Sequence, residues 1–262
     1  MSVEFQKYHG AGNDFVMIDD RDAKFNFSKE QIAQICHRRY GIGAYGLILI
    51  RRKEGFDFEM LYYNADGGIG SMCGNGGRCA AMFAKKLGIN KEEMNFNAFD
   101  GAHHALFVNN EIIKLSMAAV SETENFQNDF ILNTGSPHYI KFVDDVNSID
   151  VVREGKKIRY SEKFIAEGIN VNFVTIKHDV IEMRTYERGV EDETLSCGTG
   201  TVAVAIATSV KLNNKTEKQQ FNLKAPGGNL KVYFSRKEDC FKDVWLEGSV
   251  EHVYSGNFHF SQ

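Results

Sequence analysis

The feature that most constrains the fold is an internal repeat. Three pairs of segments match in the same order along the chain: EMLYY at 59–63 with EMRTY at 182–186, CGNG at 73–76 with CGTG at 197–200, and FN at 96–97 with FN at 221–222. The offset grows slowly, from 123 to 124 to 125 residues. Ordered matches at a nearly constant offset indicate an old duplication. The chain is therefore predicted to form two similar halves.

Each copy also has the same local pattern. A stretch rich in aromatic and β-branched residues, DFEMLYYN at 57–64 or VIEMRTYE at 180–187, predicts a strand. A Cys-Gly-x-Gly turn follows, and then a helical run. The first run, 79–88, ends at Gly88 as a C-terminal cap. The second, 202–212, is rich in small and apolar residues, which predicts a helix buried within its domain.

Further strands are predicted at 110–117 and 242–250, and a helix over 28–41 with a Ser28 cap and a Gly41 stop. Strands outnumber helices, so the predicted class is α+β. We expect two pseudo-symmetric lobes, each a curved mixed β-sheet around a central helix. The predicted lobes are 1–117, which carries Cys73, and 118–252, which carries Cys197.

Composition narrows the class of protein. The chain has 262 residues, of which 43% are hydrophobic and 25% charged, with a formal net charge of -4. This mild, scattered charge predicts no nucleic-acid partner. No apolar run approaches a membrane span, and the N-terminus does not resemble a secretory signal. A cytoplasmic protein with no membrane association is expected.

Five cysteines form an odd set without the spacing of a disulfide framework or a zinc site. No metal is expected. Cysteine is often a small buried hydrophobe, and that interpretation is preferred for Cys36, Cys79 and Cys240. For Cys73 and Cys197, the matched contexts favour chemistry instead.

A thiol at a helix N-terminus faces the positive end of the helix dipole and unsatisfied backbone N–H groups. That setting stabilises a thiolate, and the neighbouring glycines let backbone amides approach an anion such as a carboxylate. The duplication suggests that Cys73 and Cys197 face each other across a cleft. Two opposed thiols could remove a proton from one face of a carbon and return one to the other, which inverts a stereocentre.

The order of several short motifs resembles the diaminopimelate epimerase family. The motifs are HGAGNDF (9–15), YNADG (63–67), CGNGGRC (73–79), GSPH (135–138), NVNF (170–173), YERG (186–189), CGTG (197–200) and PGG (226–228). The resemblance implies a two-lobed fold whose C-terminal strand, about 253–262, returns to the first lobe. It implies cofactor-independent interconversion of LL- and meso-diaminopimelate in lysine and peptidoglycan precursor synthesis.

By this resemblance, Cys197 takes the proton from the LL-isomer and Cys73 donates one. Gly74-Asn75 and Gly198-Thr199 form the carboxylate cradles, and His138 and Glu187 tune the thiols, His138 by charge or hydrogen bonding. The remaining substrate-contacting positions are Asn13, Asn64, Ser136, Asn170, Glu187 and Arg188. Tyr254 matches a tyrosine at a dimer interface, which implies a homodimer.

Each of these residues also has an ordinary interpretation. Asn13 and Asn64 could be turn residues, His138 a loop histidine, and Glu187 with Arg188 a surface pair. The chain departs from the family pattern at Ser136, where many members have asparagine, and at Tyr45, where aspartate is usual. No substrate role is assigned to Gly46.

Three other functions remain open. A racemase of the same fold could act on proline, histidine or glutamate, although Asn64, Asn170 and Arg188 favour a substrate with a second charged end. A thiol redox or sensing protein could use the same cysteine pair and would show no α-proton exchange. A non-catalytic amino-acid-binding module would bind ligand even without the thiols.

Overall fold

The computed structural model describes residues 2–70 and 72–260. Its strands are β1 (Ser2–Gly10), β2 (Asn13–Asp19), β3 (Gly46–Arg51), β4 (Phe58–Asn64), β5 (Glu93–Ala98), β6 (Gly101–Phe107), β7 (Ile112–Met117), β8 (Glu124–Phe126), β9 (Asp129–Asn133), β10 (Pro137–Phe142), β11 (Asn170–Lys177), β12 (Val180–Glu187), β13 (Asp192–Thr194), β14 (Lys218–Ala225), β15 (Gly228–Lys237), β16 (Cys240–Ser249) and β17 (Glu251–His259). Its helices are α1 (Lys29–Cys36), α2 (Gly74–Lys86), α3 (Val151–Arg159) and α4 (Gly198–Lys211), with a short 3₁₀ turn at Val146–Ser148.

The chain divides into two compact units. Unit 1 is Met1–Leu115 together with Gly248–Gln262, and unit 2 is Ser116–Glu247. In unit 1 the last strand, β17, pairs antiparallel with β1, so that Ser2 lies opposite His259. The terminal residues of the chain therefore complete the sheet that the first residues begin.

The two units share one strand order. In unit 1, β1, β2, β3, β4, β5 and β6 pair in sequence, alternating antiparallel and parallel. In unit 2, β9, β10, β11, β12, β14 and β15 repeat this alternation. Helices α1 and α3 occupy equivalent crossovers, as do α2 and α4. This repeated order confirms the predicted α+β class and the duplication.

Helix α1 begins as its sequence predicts and ends earlier than predicted. Ser28 caps it in a capping box, because its hydroxyl accepts from Gln31 N while the Gln31 side chain accepts from Ser28 N. The helix ends at Cys36, so the predicted stop at Gly41 is wrong. Gly41 instead lies in the following turn, where a Cβ atom would be 1.9 Å from Gln34 O. Gly41 therefore belongs to a turn that packs against α1, and it does not end the helix.

The second helix of each unit is enclosed by its own unit. Helix α4 is buried at every residue from Thr201 to Ser209, as its apolar sequence predicts. Helix α2 buries Gly74–Ala81, Phe83 and Ala84 and exposes polar side chains near its C-terminus. Gly88 follows its C-cap with φ of +98°, the left-handed conformation that glycine adopts at helix ends.

Candidate active site

Cys73 is the N-cap residue of α2. Its backbone is extended (φ -109°, ψ 119°), and its carbonyl accepts from Gly77 N at 2.8 Å, the first bond of the helix. Its side chain is half-buried. Gly76 packs closely here, because a Cβ atom would lie 3.2 Å from the end of the Ile48 side chain, 3.4 Å from that of Met60 and 3.5 Å from the Cβ atom of Cys73. The thiol therefore lies beside the unpaired amides of the first helical turn.

Cys197 is placed in the same way at the start of α4. It is the N-cap with φ -122° and ψ 114°, and its carbonyl accepts from Thr201 N at 2.8 Å. Within the described residues, neither cysteine side chain forms a capping hydrogen bond to its helix. Each thiol therefore lies beside the first backbone amides of its helix, where the helix dipole favours a thiolate and those amides suit an anion. Within each copy, the cysteine sulfur lies beside the amides that begin its own helix, and the N-cap backbone angles of the two copies are similar.

A polar network surrounds Cys197 in unit 2. The Thr199 hydroxyl lies 3.5 Å from the Cys197 sulfur and 3.0 Å from Nε2 of His138. Ser136 completes the cluster, with its hydroxyl 3.0 Å from the same nitrogen and 3.2 Å from the Thr199 hydroxyl. Thr134 donates to Thr199 O at 2.8 Å, which fixes the turn that carries the hydroxyl. Ser136 and His138 therefore contact the first turn of α4 through the Thr199 hydroxyl.

His138 is neutral in this setting. Burial, reinforced by the positive charge of Arg188, lowers its pKa to about 3. Asn172 Nδ2 lies 3.2 Å from His138 Nδ1, and the Thr185 hydroxyl donates to Asn172 Oδ1. Because this assigns the NH₂ group to the histidine, Nδ1 is the acceptor and Nε2 carries the proton. Of the two ways in which His138 was expected to act, hydrogen bonding through Thr199 fits this structure, whereas a charge does not.

Asn170, Glu187 and Arg188 form a second group in unit 2. Asn170 is buried and donates to the Ser136 hydroxyl at 3.1 Å and to Pro137 O at 3.0 Å, while its oxygen accepts from Arg188 N at 2.9 Å. Both amide protons are thus engaged within the protein, which makes Asn170 a brace between Ser136 and Arg188. Arg188 is exposed and donates to Glu167 O.

Glu187 ends β12 and is half-buried. It accepts from the Thr194 hydroxyl at 2.7 Å. Thr194 closes β13, the short strand that leads to Cys197. The Glu187 carboxylate is therefore tied to the segment that positions this thiol.

In unit 1, Asn13 and Asn64 lie at one edge of the sheet. Asn13 follows the tight turn at Ala11 and Gly12, whose φ values of +48° and +85° close the β1–β2 hairpin. Phe15 pairs with Gly46, and Gly46 pairs with Asn64. These pairings bring the start of β2, the start of β3 and the end of β4 to the same edge. Asn13 is buried there, and Asn64 is exposed as the last residue of β4.

Tyr45, the departure from the family pattern, is held by Asp14. The Tyr45 amide lies 2.7 Å from Asp14 O and 3.0 Å from Asp14 Oδ1, and its ring packs edge-on against Phe15. The Asp14 carboxylate also binds Arg38 at two points and the buried Lys7. Burial alone would raise the pKa of Asp14, but the hydrogen bonds from Arg38 and Lys7 dominate and lower it. An aspartate in this loop is thus replaced by a ring that packs on the sheet.

The other three cysteines differ from one another. Cys36 and Cys79 are buried as predicted, and burial raises the pKa of Cys36 to about 12 and that of Cys79 still further. Cys240 is half-buried, so its assignment to the core is wrong. It opens β16 directly after a turn in which Glu238 has a positive φ, and the chain has not yet entered the core at this point.

Two residues near the thiols were missed by sequence interpretation. Asn172 assigns the tautomer of His138, although it was quoted above only as part of a motif. Arg78 is fully buried in α2 and donates to the Asn75 side chain at 2.7 Å. Their motifs placed both residues near the site, but neither spacing nor residue type revealed these contacts.

Two further features are absent from the described residues, 2–70 and 72–260. No group of three or more His, Cys, Asp or Glu side chains there has the arrangement of a metal site. No helix in that part of the chain is long and apolar enough to cross a membrane.

Comparisons with known proteins identify the family. The family model of diaminopimelate epimerase matches residues 5–118 and 130–253. A diaminopimelate epimerase of Flavobacterium psychrophilum is 47% identical over 254 residues, which covers 96% of this chain and 98% of that protein. A diaminopimelate epimerase of Chlorobaculum tepidum is 43% identical, covering 94% and 98%. The chain belongs to the diaminopimelate epimerase family.

Solved structures share the fold at low identity. A phenazine biosynthesis protein of the PhzF family from Bacillus anthracis has a TM-score of 0.78 at 12% identity, covering 99% of this chain and 100% of that one. A probable proline racemase from Agrobacterium radiobacter has a TM-score of 0.69 at 14% identity, covering 99% and 93%. These similarities show the fold alone.

Proposed function

We propose that this chain interconverts LL- and meso-diaminopimelate by moving the α-proton between two thiols, without a cofactor. The observation that carries the proposal is the matched placement of Cys73 and Cys197 at helix N-termini in a chain of this family. The Cys197 thiolate takes the proton from the LL-isomer as the Cα–H bond breaks. Cys73 then gives its proton to the opposite face, and the two sulfurs exchange protonation states.

The cradle amides stabilise the charge that develops during this transfer. When the α-proton leaves, negative charge spreads from the α-carbon onto the adjacent carboxylate. Backbone amides of Gly74-Asn75 and Gly198-Thr199 are the proposed donors, because they begin α2 and α4 beside the thiols. Donors fixed before the reaction stabilise such charge without reorganisation.

The network around Cys197 supports its assignment as the base for the LL-isomer. The Nε2–H group of His138 can donate to the Thr199 hydroxyl, which leaves the hydroxyl proton free to reach the Cys197 sulfur. A hydrogen bond to a thiolate stabilises the charged form. Glu187, through Thr194, is the proposed second influence on this thiol.

The far end of the substrate carries a second ammonium and a second carboxylate. Asn13, Asn64 and Glu187 are the proposed contacts to its polar groups. Arg188 is exposed and suited to bind the distal carboxylate at two points. Ser136 and Asn170 are proposed to support this end, since their side chains already bind one another.

We further propose a cytoplasmic homodimer. Tyr254 on β17 is 43% exposed and packs edge-on against Phe5, and Val253 beside it is 52% exposed. A strand with exposed apolar side chains is suited to an interface. Analytical ultracentrifugation of the wild type and of Tyr254→Glu tests this assembly, and a monomeric wild type would reject it.

The decisive experiment is deuterium incorporation at the α-carbon of LL-diaminopimelate in heavy water. Wild type should incorporate label and produce the meso-isomer, while Cys73→Ala and Cys197→Ala should lose epimerisation almost completely. Cys240→Ala is the matched control and should retain activity. Activity only on proline, histidine or glutamate would favour the alternative racemase. Binding without exchange would favour a binding module, and reversible thiol cycling without exchange a redox protein.

A further inference from the structure

Helix α2 contains a buried cation near its N-terminus, where the helix dipole disfavours positive charge. Arg78 is 0% exposed, and it lies within the first turns of a helix, near the positive end of the dipole. Its hydrogen bonds go to the Asn75 side chain at 2.7 Å and to Gly74 O at 3.3 Å, neither of which is a carboxylate. Its Nε atom has no hydrogen-bond partner among the described residues. Burial lowers the pKa of this guanidinium.

Such an arrangement costs stability. A buried charge without a paired counter-charge is expensive, and apolar residues of similar volume often replace buried ions without loss of stability. The second copy illustrates this, because Val202 stands 124 residues after Arg78 and is also fully buried in α4. The fold therefore accepts an apolar residue at this position, and the arginine needs another explanation.

Asn75 supplies that explanation. A guanidinium has donors and no acceptor, so the atom that faces Arg78 must be the oxygen of the Asn75 amide. The NH₂ group of Asn75 then points away from Arg78. Asn75 is 0% exposed, and its Nδ2 atom has no hydrogen-bond partner within residues 2–70 and 72–260. A fixed, buried donor without a partner, beside the amides that begin α2, is suited to receive an anion.

In unit 2, a histidine takes the place that Arg78 has beside Asn75 in unit 1. Thr199 occupies the position equivalent to Asn75, two residues after the cysteine, and His138 Nε2 lies 3.0 Å from its hydroxyl. In each unit, a nitrogen donor therefore binds the polar side chain that follows the Cys-Gly pair. Arg78 in unit 1 corresponds in this respect to His138 in unit 2, although the two residues come from unrelated positions in the sequence.

Charge around the first turn of α2 points the same way. The charges that act on the pKa of Arg78 are those of Cys73 and Cys79, and Cys79 in turn raises the pKa of Tyr8. Burial raises the pKa of Tyr8 to about 12 and that of Cys79 beyond it, so both are neutral near pH 7. Arg78 is thus a positive charge that a thiolate at Cys73 would encounter.

We propose that Arg78 is a positioning residue for the reaction, which holds Asn75 as a donor to the substrate carboxylate and provides the positive charge shared by that carboxylate and the Cys73 thiolate. This inference rests on the proposed function for its substrate. Its electrostatic part does not need substrate, because the charge of Arg78 acts on Cys73 in the unliganded protein.

The test compares Arg78→Met, which keeps the volume, with Arg78→Lys, which keeps the charge but loses the two-point geometry. The first measurement is the alkylation rate of Cys73 by iodoacetamide against pH, followed by mass spectrometry of the Cys73 peptide. Arg78→Met should raise the pH midpoint by about one unit or more, and Arg78→Lys should leave it near the wild-type value. An unchanged midpoint in Arg78→Met overturns the electrostatic role.

The second measurement is kcat/KM for α-proton exchange, together with the thermal unfolding temperature. Arg78→Met should lower kcat/KM at least about 100-fold with an unfolding temperature equal to or above that of wild type. Arg78→Lys should also lose activity. Arg78→Met should cost less in an Asn75→Ala background than in wild type, because the positioning of Asn75 is already lost there. Full activity in Arg78→Lys, or a loss that accompanies a lower unfolding temperature, overturns the positioning role. A wild type without exchange rejects the proposed function, while the alkylation result still decides the electrostatic role of Arg78.

Discussion

Asn172 and His138 form a buried pair in which an amide nitrogen lies 3.2 Å from a ring nitrogen. The contact determines the histidine tautomer, because Thr185 already donates to the amide oxygen and leaves only the NH₂ group for the ring. The other ring nitrogen is then a donor to the hydroxyl beside Cys197. Four side chains from different segments of unit 2 thus specify the direction of one hydrogen bond near the thiol.

Replacing Thr199 by valine tests that hydrogen bond. Valine keeps the shape of threonine but removes the hydroxyl 3.5 Å from the Cys197 sulfur. We expect kcat/KM for α-proton exchange to fall about 10- to 100-fold, as one or two lost charge-stabilising hydrogen bonds would predict. Thr199→Ser should restore most of the activity. Thr208→Val is the control, since Thr208 bonds Val204 O further along α4. Equal activity in both valine variants would contradict the role of the hydroxyl.

Glycine-to-alanine substitutions should affect the two copies unequally. A Cβ atom at Gly200 would lie 2.7 Å from Asn172 Oδ1 and 3.2 Å from a ring carbon of His138, both held in a network. At Gly76 the nearest atoms are the ends of Ile48 and Met60, at 3.2 and 3.4 Å, which can move. We expect Gly200→Ala to cost about 1 to 3 kcal/mol of unfolding free energy, and Gly76→Ala less. Urea unfolding measures both, and a larger loss at Gly76 would refute the prediction.

The buried histidine should make stability fall in acid. The pKa of His138 is lowered from its usual 6.5 to about 3 in the folded protein. Between these pH values the unfolded chain binds a proton that the folded chain does not, so stability falls as pH decreases from about 6.5 towards 3. One such proton contributes a slope of at most about 1.4 kcal/mol per pH unit. Urea unfolding from pH 7 to pH 4 should show a flatter curve for His138→Gln than for wild type.

The control for this experiment is His178→Asn. His178 is exposed in the turn between β11 and β12, where its φ of +50° suits asparagine. Its substitution should leave the slope of wild type unchanged. If His138→Gln has the same slope as wild type, titration of this histidine does not contribute to acid sensitivity.

Two aspartates of β2 should differ strongly in their contribution to stability. Asp14 holds the buried Lys7 at 2.9 Å, whereas Asp19 pairs with Arg21 at the surface. Asp14→Asn leaves a buried ammonium without its counter-charge, which costs about 3 kcal/mol or more. Asp19→Asn should cost about 1 kcal/mol or less. Denaturant titration at pH 7 compares them, and similar losses would argue against a structural role for the Lys7–Asp14 pair.

Local signals predicted much of this fold. The Ser28 cap, the strands around Tyr62 and Tyr186, and the buried run of α4 were all readable, because each depends on neighbouring residues. The end of α1 was not, since Gly41 is required by contact with Gln34 rather than by helix termination. The repeat added long-range information that a single copy lacks, because two copies must adopt the same topology.

The supporting residues of the site could not be predicted in this way. Asn172 reaches His138 because β10 and β11 pair in parallel with His138 opposite Asn170, a register set by the whole unit. Arg78 was overlooked because an arginine in a helix is usually exposed. In both cases, the residue type shows which hydrogen bonds the side chain can form, but only the tertiary structure shows which residue it bonds to.

The pairing of β17 with β1 has a consequence for the order in which the protein is made. Residues 116–247 emerge from the ribosome as one continuous segment and can fold as soon as they are complete. The sheet that begins with Ser2 must wait for residues 251–259, because one side of β1 has no partner until then. During synthesis, unit 1 therefore begins before unit 2 and is completed after it. Until β17 is made, one edge of β1 stays open, and an open strand edge can pair with other chains and aggregate.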